Sequence, residues 1–142
     1  MKASYLAGLA AAALLAGALP SAVAAKDVCV SDGDGRDYRF ESPKLPKKPG
    51  KITTLLGSAR LVPAAVDAFA FGPIQGSAML VSSVGDAIIV SVFGQTANIP
   101  FSVRAVVDRD FAGQGLGAFG PGASLDTEFT WTRIDCDASA LP

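Results

Sequence analysis

Residues 124–136 alternate between two kinds of side chain, with Leu125, Phe129 and Trp131 on one face and polar residues on the other. A period of two residues is typical of a β-strand that has one buried and one solvated face. Residues 100–108 show the same alternation. This pattern predicts a β-protein whose strands each cover one side of a core.

Four other segments extend the β pattern. Residues 36–41 alternate, and residues 52–62 are rich in Thr, Leu and Val, with Gly57 as a candidate bulge. Residues 87–93 are apolar on both faces, which predicts a central strand covered on both sides. Residues 76–84 precede that strand, and a two-residue turn between the two would form a β-hairpin.

Residues 63–72 allow two interpretations. Pro63, an alanine-rich run and a closing glycine fit a short helix, whereas Phe69 and Phe71 would alternate along a strand. The strand is slightly favoured. The chain then has seven or eight short strands and no long helix, so we expect an all-β, antiparallel barrel, with a β-sandwich as the alternative.

Cys29 and Cys136 are the only cysteines of the 142-residue chain. In an oxidising compartment such a pair is most simply a disulfide, and this one would connect the first strand to the last. That connection favours the barrel. A nucleophilic cysteine needs a nearby histidine, and the sequence has none. The polar residues before Cys29 argue against a lipoprotein anchor.

Residues 1–25 have the pattern of a secretory signal peptide. Lys2 gives a positive start, residues 6–19 form an unbroken apolar run, and small residues follow before a polar pair. Pro20 interrupts the run before it reaches the roughly 20 apolar residues that a membrane anchor needs. We expect a single mature domain over residues 26–142, located in the bacterial periplasm or outside the cell.

The charge balance limits the class of partner. The whole chain has a formal net charge of −1, and removal of Lys2 makes the mature domain one unit more negative. This balance gives no general attraction to nucleic acid, so no nucleic-acid partner is expected. An outer-membrane barrel would show aromatic girdles at both interfaces, and the aromatic residues form no such bands. The mature protein is therefore expected not to span a membrane.

Histidine is absent from the sequence, which excludes Ser–His–Asp hydrolysis, histidine-ligated metals and histidine acid–base catalysis. Thiolate metal sites are excluded as well when both cysteines form a disulfide. Glu128 is one of only two glutamates, and its place in an alternating strand puts it on a solvated face. We expect a protein that is not an enzyme and carries no cofactor, with a carboxylate-only enzyme as the remaining alternative.

Two motifs resemble binding sites but fit them poorly. Asp32, Asp34 and Asp37 lie in one turn, yet their spacing fails the helix–loop–helix calcium pattern at its fifth, sixth and twelfth positions, so only a weak surface calcium site remains. Residues 115–120 match the string G-x-G-x-x-G. A proline-glycine pair and a strand follow them, instead of the helix that a dinucleotide site requires.

Two segments are expected to be irregular. Residues 113–122 are half glycine, which disfavours helix and strand, and as a loop they would present Leu116 and Phe119 to a ligand or partner. Residues 42–51 are rich in proline and should be extended. Their lysines would either dock an anionic surface such as an acidic polysaccharide or, as is favoured, protect a sheet edge from pairing. The lysines are Lys44, Lys47, Lys48 and Lys51.

The expected role is an interaction or structural module in the cell envelope or outside the cell, with an unidentified protein or glycan as its partner. The alternative is a carrier that holds a small apolar ligand inside the barrel. Small inward side chains would leave room for that ligand. The candidates are Ala59, Ala78, Ala87 and Ala105.

Overall fold

The computed structural model describes residues 26–61, 70–96 and 99–137. Within these ranges the chain forms eight strands: β1 (Val28–Ser31), β2 (Asp37–Phe40), β3 (Ile52–Leu61), β4 (Ala70–Leu80), β5 (Ile88–Thr96), β6 (Ile99–Val107), β7 (Gly113–Phe119) and β8 (Thr127–Ile134). The proposed signal peptide and residues 63–69, for which helix and strand were both open, lie outside the described residues.

The eight strands close into an antiparallel barrel. Each strand pairs with its neighbours in sequence, and β8 returns to β1 through the pairs Cys29–Ile134, Val30–Arg133 and Ser31–Thr132. The barrel prediction is confirmed and the sandwich alternative is wrong, because this last pairing joins all strands into one continuous sheet.

A disulfide between Cys29 and Cys136 lies where the barrel closes. The two Cα atoms are 5.1 Å apart, and the bridge spans 107 residues of sequence. Cys29 belongs to β1, and Cys136 follows the end of β8 by two residues. The predicted disulfide is therefore confirmed, and it links the two strands whose pairing completes the barrel.

The inner faces of the strands supply a core rich in aromatic rings. Tyr38, Phe40 and Trp131 are buried, and the Trp131 ring centroid lies 5.1 Å from that of Tyr38 and 5.7 Å from that of Phe40. The alternation in residues 100–108 is confirmed, since every second residue of β6 from Phe101 onward is buried. The rings and the inward aliphatic side chains pack together in one hydrophobic core.

Residues 113–122 differ from the prediction. Their first seven residues form β7, which pairs with β6 and β8 along its length. The inward positions of β7 include Gly113, Gly115 and Gly117, and a Cβ on Gly115 would run into the ring of Phe129. Glycine fits at Gly115 because the Phe129 ring leaves no room for a side chain. The glycine content that disfavours an isolated strand is therefore compatible with a strand paired on both sides.

Three smaller predictions also need correction. Gly57 is not a bulge, because the β3–β4 register runs through it without interruption and the β2–β3 register reaches it in step. The β4–β5 hairpin is confirmed, but residues 81–87 connect it instead of a two-residue turn. β5 is not covered on both sides, since Phe93 on its outer face is 58% exposed. A barrel wall buries one face only, which is why an apolar outer residue remains in solvent here.

The connection between β2 and β3 closes one end of the barrel. Leu45 packs against the core and Pro46 is buried, while the ring of Phe111 from the β6–β7 turn lies 4.9 Å from that of Phe40. Phe111 has a φ of 62°, a left-handed conformation that turns its side chain into the core. The expected irregular structure of residues 42–51 is confirmed, since no described residue there is helical or extended in a sheet.

Candidate functional site

A groove on the outer wall follows β7, and we call it the β7 groove. Its cavity volume is about 620 Å³, and Gly115 lies in its floor. β6 and β8 form the two walls, and the β7–β8 connection adds one rim. The side chains that line it include Arg104, Val106, Leu116, Leu125, Glu128 and Thr130.

The centre of the groove is a row of three neighbouring side chains. Leu116 pairs with Arg104 on β6 and with Glu128 on β8, so one positive and one negative residue flank it directly across the strands. Leu116 is 41% exposed, and both charged residues are exposed. Among the described residues, neither Arg104 nor Glu128 has an ion-pair or hydrogen-bond partner. The solvated position expected for Glu128 is confirmed.

Leu125 and Val106 are groove residues that the alternation pattern did not identify. Leu125 was placed on the buried face, but it precedes β8 in a turn and is 43% exposed at the rim of the groove. Val106 occupies an outward position of β6, between polar neighbours on that face. The sequence signal for this surface was Val106 itself, an apolar residue at a position where the alternation of β6 otherwise has polar ones.

Leu116 and Phe119 were expected to act together, and the structure separates them. Leu116 points outward into the groove, whereas Phe119 is partly buried against the core at the end of the barrel opposite to the β2–β3 connection. The guanidinium carbon of Arg36 lies 4.2 Å from the Phe119 ring centroid, an attractive cation–π geometry. Phe119 therefore belongs to the closure of the barrel end and not to the groove.

The carboxylates of the acidic turn each face an arginine. The Arg36 side chain donates hydrogen bonds to Asp32 and, at 3.0 Å, to Asp34. Arg60 donates to Asp37 at 2.7 Å. Within the described part of the chain, no group of three or more Asp, Glu, His or Cys residues could hold a metal ion. The positive charge beside these three carboxylates is thus supplied by the protein itself.

The four lysines of residues 42–51 are exposed, while Leu45 and Pro46 between them turn towards the barrel. The favoured explanation, that these lysines protect a sheet edge, is wrong because a closed barrel leaves no edge strand there. Docking of an anionic surface by Lys44, Lys47, Lys48 and Lys51 stays a prediction.

A second outer cavity, of about 490 Å³, lies beside the disulfide. Asp27 in its lining accepts hydrogen bonds from Arg39 at 2.7 and 2.8 Å and from the backbone N–H of Ser42 at 3.0 Å. The hydrogen bonds from Arg39, followed by that from Ser42, lower the pKa of the Asp27 carboxyl below its usual value. Because its carboxylate is already paired, this cavity is a weaker candidate than the β7 groove.

The interior does not favour the carrier alternative. Ala59 is fully buried, and it lies directly across from Tyr38. The ring of Tyr38 occupies the space that the small alanine side chain leaves. Ala78 and Ala105 are also buried, whereas Ala87 lies in the connection before β5. The inward alanines therefore accommodate packed side chains, and binding of an apolar ligand inside the barrel stays a prediction.

Two aromatic side chains of the core carry buried polar atoms. The Tyr38 hydroxyl and the Trp131 indole nitrogen have no hydrogen-bond partner among the described residues. Burial raises the pKa of the Tyr38 hydroxyl well above its usual value, and the negative charges of Asp32 and Asp37 raise it further. Tyr38 is thus held in its neutral form across the physiological pH range.

Comparisons with known proteins return no relationship from which a function could be taken. No family model, no curated protein and no solved structure matches this chain. Among the described residues, no helix is long and apolar enough to cross a membrane. The β7 groove, with its unpaired charges around an exposed leucine, is therefore the strongest candidate site on the described surface.

Proposed function

We propose that the mature protein is an exported interaction module that binds a protein partner through the β7 groove. The observation that carries this proposal is the row Arg104–Leu116–Glu128, in which an exposed apolar side chain lies between two opposite charges that have no partner among the described residues. Interfaces combine apolar contact with complementary charge, and the charges select the partner and its orientation. This row offers both within three residues.

Two features support a location in the periplasm or outside the cell. Residues 1–25 have the order of charge, apolar run and small residues that directs export. The Cys29–Cys136 disulfide is of a kind that forms and persists in oxidising compartments. Both features fit a domain that folds after it has left the cytoplasm.

The distribution of polarity supports a role in water and not within a bilayer. The barrel interior is apolar, and the middle of its outer wall carries Arg104 and Glu128. Barrels that span the outer membrane have the inverse arrangement, with a polar interior and an apolar outer band. We assign no catalytic step, since the chain lacks histidine and both of its cysteines are oxidised.

Site-specific photo-crosslinking in producing cells tests this proposal. A photoreactive amino acid would replace Leu116 and, in a matched control, Leu56, which is 53% exposed on the outer face of β3. We expect protein adducts from position 116 that disappear with Arg104→Glu, and none from position 56. An absence of adducts at position 116, or equal adducts at both positions, would overturn the proposal.

A further inference from the structure

The charges of the β7 groove are arranged so that the surface complements itself. Leu116 lies on the central strand of the three, with Arg104 on one side and Glu128 on the other. Directly opposed Cα atoms of antiparallel strands are about 4.5–5.5 Å apart, so the two charged positions lie at similar distances from Leu116. A rotation of 180° about an axis that lies in the wall along β7 turns the wall over and exchanges the positive and negative positions.

We infer that the partner of the β7 groove is a second copy of this chain, related by a two-fold axis that runs parallel to β7 and passes between the two Leu116 side chains. In this dimer each Arg104 faces Glu128 of the other copy, and the two Leu116 side chains meet at the axis. Such an interface is isologous, because the same surface serves on both subunits. The inference deepens the proposed function, on which it rests, by naming the partner.

The same rotation places the residues next to the central row. Val106 on β6 and Thr130 on β8 both pair with Gln114, two residues before Leu116 on β7. The rotation therefore brings Val106 of one copy towards Thr130 of the other, whose methyl group offers an apolar contact, and the two Gln114 side chains meet near the axis.

A second copy fits the groove better than an added peptide strand does. The barrel is closed, so its wall has no edge strand at which another chain could extend the sheet. Association at the wall must use side chains, and the exposed ones here complement each other without any further partner. Because the complementary row covers only three strands, we expect a reversible dimer with a Kd of about micromolar or weaker.

Sedimentation velocity of the purified, oxidised protein over about a hundredfold concentration range tests the dimer. The wild type should shift from monomer to dimer as concentration rises. Arg104→Glu and Glu128→Arg should each weaken dimerisation at least about tenfold, because each variant places like charges opposite one another. An equimolar mixture of the two variants should form a heterodimer, since each side chain at position 104 then faces an opposite charge at position 128 of the other copy. The double variant should restore the homodimer for the same reason.

Leu116→Asp supplies a second variant, with Leu56→Asp as its matched control. Leu116→Asp puts two carboxylates at the axis and should abolish the dimer, whereas Leu56→Asp should leave the sedimentation profile unchanged. Circular dichroism verifies that each variant is folded. A monomeric wild type at every concentration, or a dimer insensitive to both charge reversals, overturns the inference. In that event, adducts between position 116 and a different protein would still support the proposed function. An absence of such adducts would overturn the proposed function as well as the dimer.

Discussion

Gly113 on β7 lies directly across from Trp131 on β8. A Cβ on Gly113 would overlap the backbone of β6 at Val106, and Trp131 is almost fully buried. The next inward pair repeats the relationship, with Gly115 across from Phe129. The missing side chains of β7 therefore serve two purposes: at Gly115 they leave room for the Phe129 ring of β8, and at Gly113 they let the β6 backbone approach closely.

Alanine substitutions of two β7 glycines should differ in whether they can be rescued. Gly113→Ala places its Cβ against backbone atoms, whereas the nearest atoms to a Cβ on Gly117 all belong to the Phe119 ring. Each substitution should lower the free energy of unfolding by about 1–3 kcal/mol. Phe119→Leu should recover much of the loss for Gly117→Ala and none for Gly113→Ala, as measured by urea denaturation. Rescue of both variants, or of neither, would contradict this account.

The strands of this barrel differ in how well the sequence predicts them. β6 and β8 were predicted because their buried side chains recur at every second residue, which local sequence displays directly. β7 was missed because its inward residues before Phe119 are glycines, whose backbone entropy disfavours an isolated strand. Its stability comes from β6 and β8, which lie on both sides of it, and no local pattern carries that information.

The candidate site was predicted only in part. Leu116 was identified as a contact residue of a loop, but its exposure follows from the pleat of a strand. Arg104 is a polar position in the alternation of residues 100–108, which predicts an outer face, yet its position beside Leu116 depends on the register between β6 and β7. Register is set by the whole barrel, so the sequence indicated the residues separately and not the row that they form.

The Arg36 side chain should contribute more to stability than its position in a turn implies. It pairs with Asp32, whose side chain is fully buried, and with Asp34, whose side chain is 67% exposed. Arg36→Ala leaves the Asp32 carboxylate buried without its counter-charge and should lower the free energy of unfolding by about 3 kcal/mol.

Asp34→Ala is the matched control for Arg36→Ala, and its effect should stay within about 0.5 kcal/mol. Asp32→Asn in the Arg36→Ala background should recover part of the loss, because it removes the buried charge. Urea denaturation of the four proteins measures these differences. Equal effects of Arg36→Ala and Asp34→Ala would show that burial of Asp32 does not determine the energetics of this turn.

The disulfide should contribute a large part of the stability, because it closes a loop that contains nearly the whole domain. For a sequence separation of 107 residues, the chain-entropy model gives about 4–5 kcal/mol. The Cys29→Ala/Cys136→Ala variant should therefore unfold at a much lower urea concentration than the oxidised wild type. Dithiothreitol should lower the midpoint of the wild type to near that of the variant and leave the variant unchanged. A loss below about 1 kcal/mol would contradict the entropic argument.

Removal of the Tyr38 hydroxyl should stabilise the protein. The hydroxyl is buried without a hydrogen-bond partner among the described residues, so the folded state loses its hydration without a replacement. Tyr38→Phe keeps the ring that packs against Trp131 and should raise the free energy of unfolding by about 1 kcal/mol at pH 7. Tyr38→Leu, which removes the ring, should instead destabilise the protein. A destabilised Tyr38→Phe variant would show that the hydroxyl is satisfied in solution.

The same hydroxyl should make the protein sensitive to alkaline pH. Burial raises the pKa of Tyr38 in the folded state, so ionisation above about pH 10 is available to the unfolded chain and not to the folded one. The ionisation of Tyr38 therefore leaves the stability unchanged below about pH 10 and lowers it by about 1.4 kcal/mol for each pH unit above that. Other groups that titrate in this range affect wild type and Tyr38→Phe alike, so the difference between their free energies of unfolding isolates Tyr38. Urea denaturation from pH 8 to pH 11 should show a constant difference between the two proteins below about pH 10 and a wider one above it, with the wild type the less stable. Parallel curves throughout would mean that Tyr38 ionises as readily in the folded protein as in the unfolded chain.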